Sequence, residues 1–137
     1  MIRELMHDPL FLGQKSASAM PEDLYIAIDL KDTLISHKEG CVGMAANMIG
    51  EKKRIIVFFD GVECVVMLNP IILKTAEPYD TEEGCLSLLG EPRKTKRYKK
   101  IKVQYQTMDF KTRIKNYEGF TAQIIQHEVD HCNGVLI

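Results

Sequence analysis

Two histidines four residues apart, His127 and His131, with Glu128 directly after the first, form an H-E-x-x-H pattern close to the end of a 137-residue chain. On an α-helix of about 3.6 residues per turn, positions i and i+4 share a face, so both imidazoles can reach one ion. Such an ion polarises a carbonyl and makes a water more acidic, while a carboxylate beside it moves the proton. That is hydrolytic chemistry. A solvent-exposed helix bearing two histidines by coincidence would carry the same five letters, so further residues must decide.

A catalytic metal usually keeps three protein ligands and one open position, and a thiolate beside a histidine pair fits that rule. Cys85, inside Glu82-Glu83-Gly84-Cys85-Leu86-Ser87, is the candidate. Alone, a cysteine next to a glycine is more often a small buried hydrophobe. The histidine pair is what turns the reading toward ligation. The other cysteines are Cys41, Cys64 and Cys132. The chain opens Met1-Ile2-Arg3-Glu4 without the apolar stretch of a secretory signal, which leads us to expect free thiols and a cytoplasmic protein.

These residues need elements to position them. From Pro21 a helix is signalled by the proline at its first turn, by Glu22 and Asp23 near its positive end, and by an apolar stripe of Leu24, Ala27, Ile28, Leu34 and Ile35. Gly40 is expected to end it. The residues before Pro21 suggest no stable element. Residues 54–60 and 62–68 are β-rich runs flanking Asp60-Gly61, a hairpin signal. Asn69-Pro70 is expected to break the second run, with 71–74 resuming at a sheet edge. Residues 101–107 alternate apolar and polar as a half-buried strand does, and 111–115 form a last short strand. A helix, several strands and a helix, without regular βαβ alternation, argue for an α+β fold: mostly antiparallel sheets packed around the C-terminal metal-binding helix, in one domain over 1–137.

Hydrophobic residues at 45% and charged residues at 27% are the mix of a soluble globular protein. A net charge of −1 gives no global field for DNA, and the longest apolar runs are strand-sized, too short to cross a membrane. One local cluster departs from this balance: six basic residues within 93–100. A solvated turn before a strand is the plain reading, and contact with ribosomal RNA is the sharper one.

Three segments together resemble the signatures of peptide deformylases, in the same order along the chain: Val42-Gly43-Met44-Ala45-Ala46, Glu83-Gly84-Cys85-Leu86-Ser87 and His127-Glu128-Val129-Asp130-His131. The likeness extends to Asp8-Pro9-Leu10, Asp32-Thr33-Leu34 and Asn69-Pro70, so it covers nearly the whole chain. It implies removal of the formyl group from N-terminal formylmethionine of nascent polypeptides, releasing formate, with one divalent metal on Cys85, His127 and His131. In the family that metal is commonly Fe2+, with Zn2+, Ni2+ or Co2+ as substitutes. The resemblance further implies Glu128 as general acid and base, and the Leu86 N–H as a donor to the developing oxyanion. It places Arg97 against the substrate peptide, and Val42, Gly43 and Met44 on a strand that pairs with the substrate backbone.

The departures from the family pattern are specific. Cys41 stands where the first segment normally has glycine, Met48 where it has glutamine, and Leu89 where proline is frequent. A glutamine amide can donate a hydrogen bond to the formyl oxygen, whereas a thioether has no donor. A weak deformylase is therefore the expectation. A homologue that binds metal or peptide with little turnover is the alternative, and a metalloprotease fits less well because Cys85 would be an unusual third ligand there.

Overall fold

The computed structural model describes residues 1–88 and 90–136; Leu89, named above, lies outside them. The elements run in the order α1 (Pro9–Leu12), a 3-10 turn (Pro21–Asp23), α2 (Leu24–Ser36), β1 (Gly43–Ala45), a second 3-10 turn (Ala46–Ile49), β2 (Ile55–Phe59), β3 (Cys64–Glu83), β4 (Arg93–Gln106), β5 (Thr112–Glu118) and α3 (Gly119–Cys132). The strands form one antiparallel sheet in sequence order, β1-β2-β3-β4-β5, so β1 is an edge strand. This is the expected α+β architecture, with one sheet between two helices.

The core explains the layering. Alternate side chains of β2 go to opposite faces. Ile55 and Val57 join Ile26, Leu30 and Leu34 of α2, while Ile56 and Phe58 join Ile125 and Val129 of α3. Strand β2 is covered on both faces, which is why its sequence is continuously apolar and not alternating. Each such side chain, fully buried, contributes about 1.5–3 kcal/mol.

Helix α2 is shorter than expected and turned on its axis. It stops at Ser36, where the Ser36 hydroxyl donates to the Thr33 carbonyl at 2.7 Å, and His37 Nδ1 lies 2.9 Å from the same oxygen. Residues 37–40 continue only as turns. Ile28 and Ile35, assigned to the buried stripe, are exposed, and Thr33 is buried in their stead. Its hydroxyl donates to the Asp29 carbonyl at 2.8 Å, which removes the cost of burying it.

Two strand expectations also change. Asn69-Pro70 does not break β3 but sits at an irregularity in its pairing with β4, with Asn69 at φ +51. The Asn69 side chain holds that bulge by accepting from Ala19 N–H at 2.7 Å and donating to Gln106 Oε1 at 2.7 Å. A proline is tolerated there because the ladder is already interrupted. Strand β4 starts at Arg93, so the basic cluster is strand and not turn. Its register sets Arg93 opposite Glu83, Lys94 opposite Glu82 and Lys96 opposite Asp80, so basic positions of β4 face acidic positions of β3. Strand β5 likewise extends to Glu118.

The N-terminal segment, which suggested no element, ties the site's two loops together. Met6 N–H donates to the Met48 carbonyl at 2.7 Å, and His7 Nδ1 lies 3.0 Å from the Ser87 carbonyl.

Candidate metal centre

The end of β3 delivers Glu83 and then Cys85 to the side of α3, whose residues from Ile124 to Val129 are all buried. One turn of helix separates His127 from His131, and their Nε2 atoms stand 3.3 Å apart. Cys85 Sγ lies 3.3 Å from His131 Nε2. The three donor atoms all lie within 4.8 Å of one another. Ligands bound at about 2.0–2.3 Å in tetrahedral directions stand about 3.3–3.6 Å apart, so this spacing suits one shared cation.

One imidazole is oriented from behind by a carboxylate. His127 Nδ1 lies 2.8 Å from Glu83 Oε1, which directs Nε2 toward the cluster. Glu83 is itself held by Arg97, whose Nη2 donates at 2.7 Å, and by Gln123 Nε2 at 2.9 Å. Asn47 Nδ2 donates to the main-chain carbonyl of His131 at 2.9 Å, fixing the last turn of α3 to the segment after β1.

The electrostatics ask for one positive charge. Burial disfavours the His127 cation, but Glu128, Cys85 and Glu83 outweigh it and push His127 up to about 10. Burial, and then the His127 charge beside it, drive His131 down to about 3. A divalent ion would bring positive charge to the same place, and both rings would then be neutral ligands. Burial lifts Glu128 to about 7, against the pull of His127. Its Oε1 is buried and has no hydrogen-bond partner among the described residues.

The cluster opens into a cavity of about 550 Å³ lined by Val42, Gly43, Met48, Leu86 and Glu128, with apolar walls from Leu88, Phe120 and Ile124. Strand β1 runs along it. Phe59 N–H donates to the Val42 carbonyl at 2.9 Å and Gly43 sits opposite Phe58, so Gly43 turns its own N–H and carbonyl away from β2, to the open edge. Only glycine fits there: a Cβ would meet Ile124 Cγ2 at 2.7 Å and Glu128 Oε2 at 3.0 Å.

Two residues expected near substrate do not line this cavity with their side chains. The Met44 side chain is fully buried in the core against α2 and does not line the cavity. Arg97 is buried, with Nη1 donating to Asp130 at 2.7 Å and the rest of its guanidinium engaged by Glu83. Its charge is answered inside the protein, behind the metal cluster and not in front of it. Sequence reasoning missed Glu83, Gln123, Asn47 and Asp130 as supports. Glu83, two residues before Cys85, was within reach of it, since metal-bound histidines usually pair their second nitrogen with a carboxylate.

The sequence profile described as polypeptide deformylase matches residues 6–137. A peptide deformylase of Clostridium beijerinckii is 55% identical over 137 residues, covering the whole of both chains. Among solved structures, the peptide deformylase of Thermotoga maritima superposes with a TM-score of 0.88 at 30% identity, over 99% of this chain and 95% of that one. A class I type b peptide deformylase from Acinetobacter baumannii, crystallised with Met-Ala-Ser bound, gives 0.89 at 30% identity over 99% and 96%.

Proposed function

Because the chain belongs to the polypeptide deformylase family, we propose that its single domain removes the formyl group from formylmethionine at the start of nascent polypeptides, releasing formate. The observation that carries this reading is the convergence of Cys85, His127 and His131 beside buried Glu128, at the end of an open strand edge. A divalent ion on those three residues, Fe2+ in our reading with Zn2+, Ni2+ or Co2+ as substitutes, would polarise the formyl carbonyl and acidify a water.

The chain's own groups do the rest. A peptide lies along β1, its backbone facing the outward N–H and carbonyl of Gly43, with Val42 beside it. The apolar walls at Leu88, Phe120 and Ile124 accept an unbranched methionine side chain. In the Acinetobacter relative a methionine-headed tripeptide is the bound molecule. Glu128 takes a proton from water as the water oxygen bonds to the formyl carbon. It returns a proton to the nitrogen as the C–N bond breaks, leaving formate and a free amine. The Leu86 N–H, in the loop beside Cys85, is the donor to the oxygen on which charge develops. Nascent chains as substrate place this work in the cytoplasm and close to the ribosome. No helix among the described residues is long and apolar enough to cross a membrane.

Met48 supports a second reading. Its Sδ accepts from Ala45 N–H at 3.5 Å and offers the formyl oxygen no donor, so a homologue that binds peptide with little turnover is the competitor. Formate release from a formyl-Met peptide, by anaerobic iron-loaded protein, decides between them. Release that is lost in Cys85→Ala along with the metal supports the hydrolase. No release with metal confirmed bound favours the competitor.

A further inference from the structure

Two sulfur atoms occupy the open edge of β1. Gly43 and Ala45 both turn their polar groups outward, as alternate residues of an edge strand do. The Cys41 thiol donates to the Gly43 carbonyl at 3.0 Å, and Met48 Sδ accepts from the Ala45 N–H at 3.5 Å. Both residues line the cavity, together with Cys85 and His127. Cys41 is half-buried, and burial pushes its thiol up to about 11, so at neutral pH it carries the proton that it donates.

We infer that the Cys41 thiol is a built-in, displaceable occupant of the Gly43 carbonyl, which sets how tightly the site takes a peptide backbone. The inference rests on the proposed binding of peptide along β1. An edge strand presents unpaired carbonyl and N–H groups, and a peptide added to it gains affinity by pairing with them. Here the outward carbonyl of Gly43 already has a partner. A backbone N–H arriving at that oxygen must move the thiol aside, and a thiol is a weak donor while an amide is a strong one. The exchange is therefore favourable, but it returns less than pairing with a bare carbonyl would. A glycine at 41 has no such donor. Cys41 touches the edge and not the reacting atoms, so its effect falls on peptide affinity more than on the chemical step.

The test compares iron-loaded wild type with Cys41→Gly, Cys41→Ala and Cys41→Ser, reading KM and kcat for a formyl-Met tripeptide and the calorimetric Kd for unformylated Met-Ala-Ser. Loss of one competing hydrogen bond predicts that Gly and Ala lower KM and Kd by roughly two- to tenfold, with the smaller change in kcat. Cys41→Ser keeps a donor, and a stronger one, and is expected to lower neither. Gly and Ala variants that match wild type in both constants overturn the inference, as does a Ser variant that gains as much as Ala. Failure of every form to bind Met-Ala-Ser overturns it too. If no form releases formate, the hydrolytic reading fails by itself, and the Kd series still decides the role of Cys41.

Discussion

Glu83 Oε1 stands 2.8 Å from His127 Nδ1, joining the last residue of β3 to a metal-cluster histidine of α3 across 44 positions of sequence. The same carboxylate takes donors from Arg97 and Gln123, and Arg97 continues to Asp130. A buried chain of charge thus orients one imidazole. It also accounts for an arginine that the family resemblance had set against substrate.

Glu83→Gln should weaken divalent-metal affinity by about 10–100-fold, the usual cost of losing a carboxylate behind a ligating histidine. An amide has one acceptor oxygen and cannot serve His127 and Arg97 as the carboxylate does. Chelator competition measures it. Unchanged affinity would mean that helix packing alone orients His127.

The same carboxylate predicts an acid limb in the stability of the metal-free protein. Burial alone would raise Glu83, yet hydrogen bonds from His127, Arg97 and Gln123 hold it down to about 2. Its folded value lies below its unfolded value of about 4.3, so its stabilisation is present above that pH and is lost as pH falls toward about 2. Tm followed by circular dichroism should drop across this window more steeply in wild type than in Glu83→Gln. Parallel curves would assign the acid limb to other groups.

Glu128→Ala should keep the metal and lower formate release by about 10²–10⁴-fold, since this carboxylate moves protons and is not among the three converging donors. Metal content by elemental analysis and turnover are read on one preparation. Turnover within a factor of a few of wild type would require another base.

Met48→Gln should raise kcat with little change in KM. The side chain is buried at the cavity wall, and its sulfur accepts from Ala45 N–H. A glutamine there could accept the same N–H through its oxygen and turn its amide donors to the oxygen on which charge gathers. A single donor of that kind is worth about 10²–10³ in kcat, a gain confined to the transition state. No gain over an already active wild type would mean that another group supplies the donor.

The convergence of the donor set was largely legible from sequence. Where side-chain spacing and helical geometry coincide, as in His127, Glu128 and His131, a local pattern implies a shared face. The α+β class followed from element types, and β2 from its continuous apolar run. Boundaries were less legible. Thr33 is a core residue because a local hydrogen bond satisfies its hydroxyl, and Ile28 lies outside because of how α2 is turned toward the sheet. Hydrophobicity alone ranks those two the other way. The basic cluster read as a turn because its partner acids, Asp80, Glu82 and Glu83, belong to another segment.

Local spacing by itself determined which residues could share an ion on one helix, and residue type determined what chemistry that ion would serve. Only tertiary structure decided what surrounds them. The separation of 46 positions between Cys85 and His131 is closed by strand pairing and by the packing of α3 on the sheet, neither of which has a local signature. Arg97 pairs with Glu83 and Asp130 because the β3–β4 register and α3 bring those carboxylates to it, in a buried place where its charge had to be answered. Cys41 reaches the Gly43 carbonyl because β1 pairs on one side only, and which side of a strand stays open is a property of the assembled sheet.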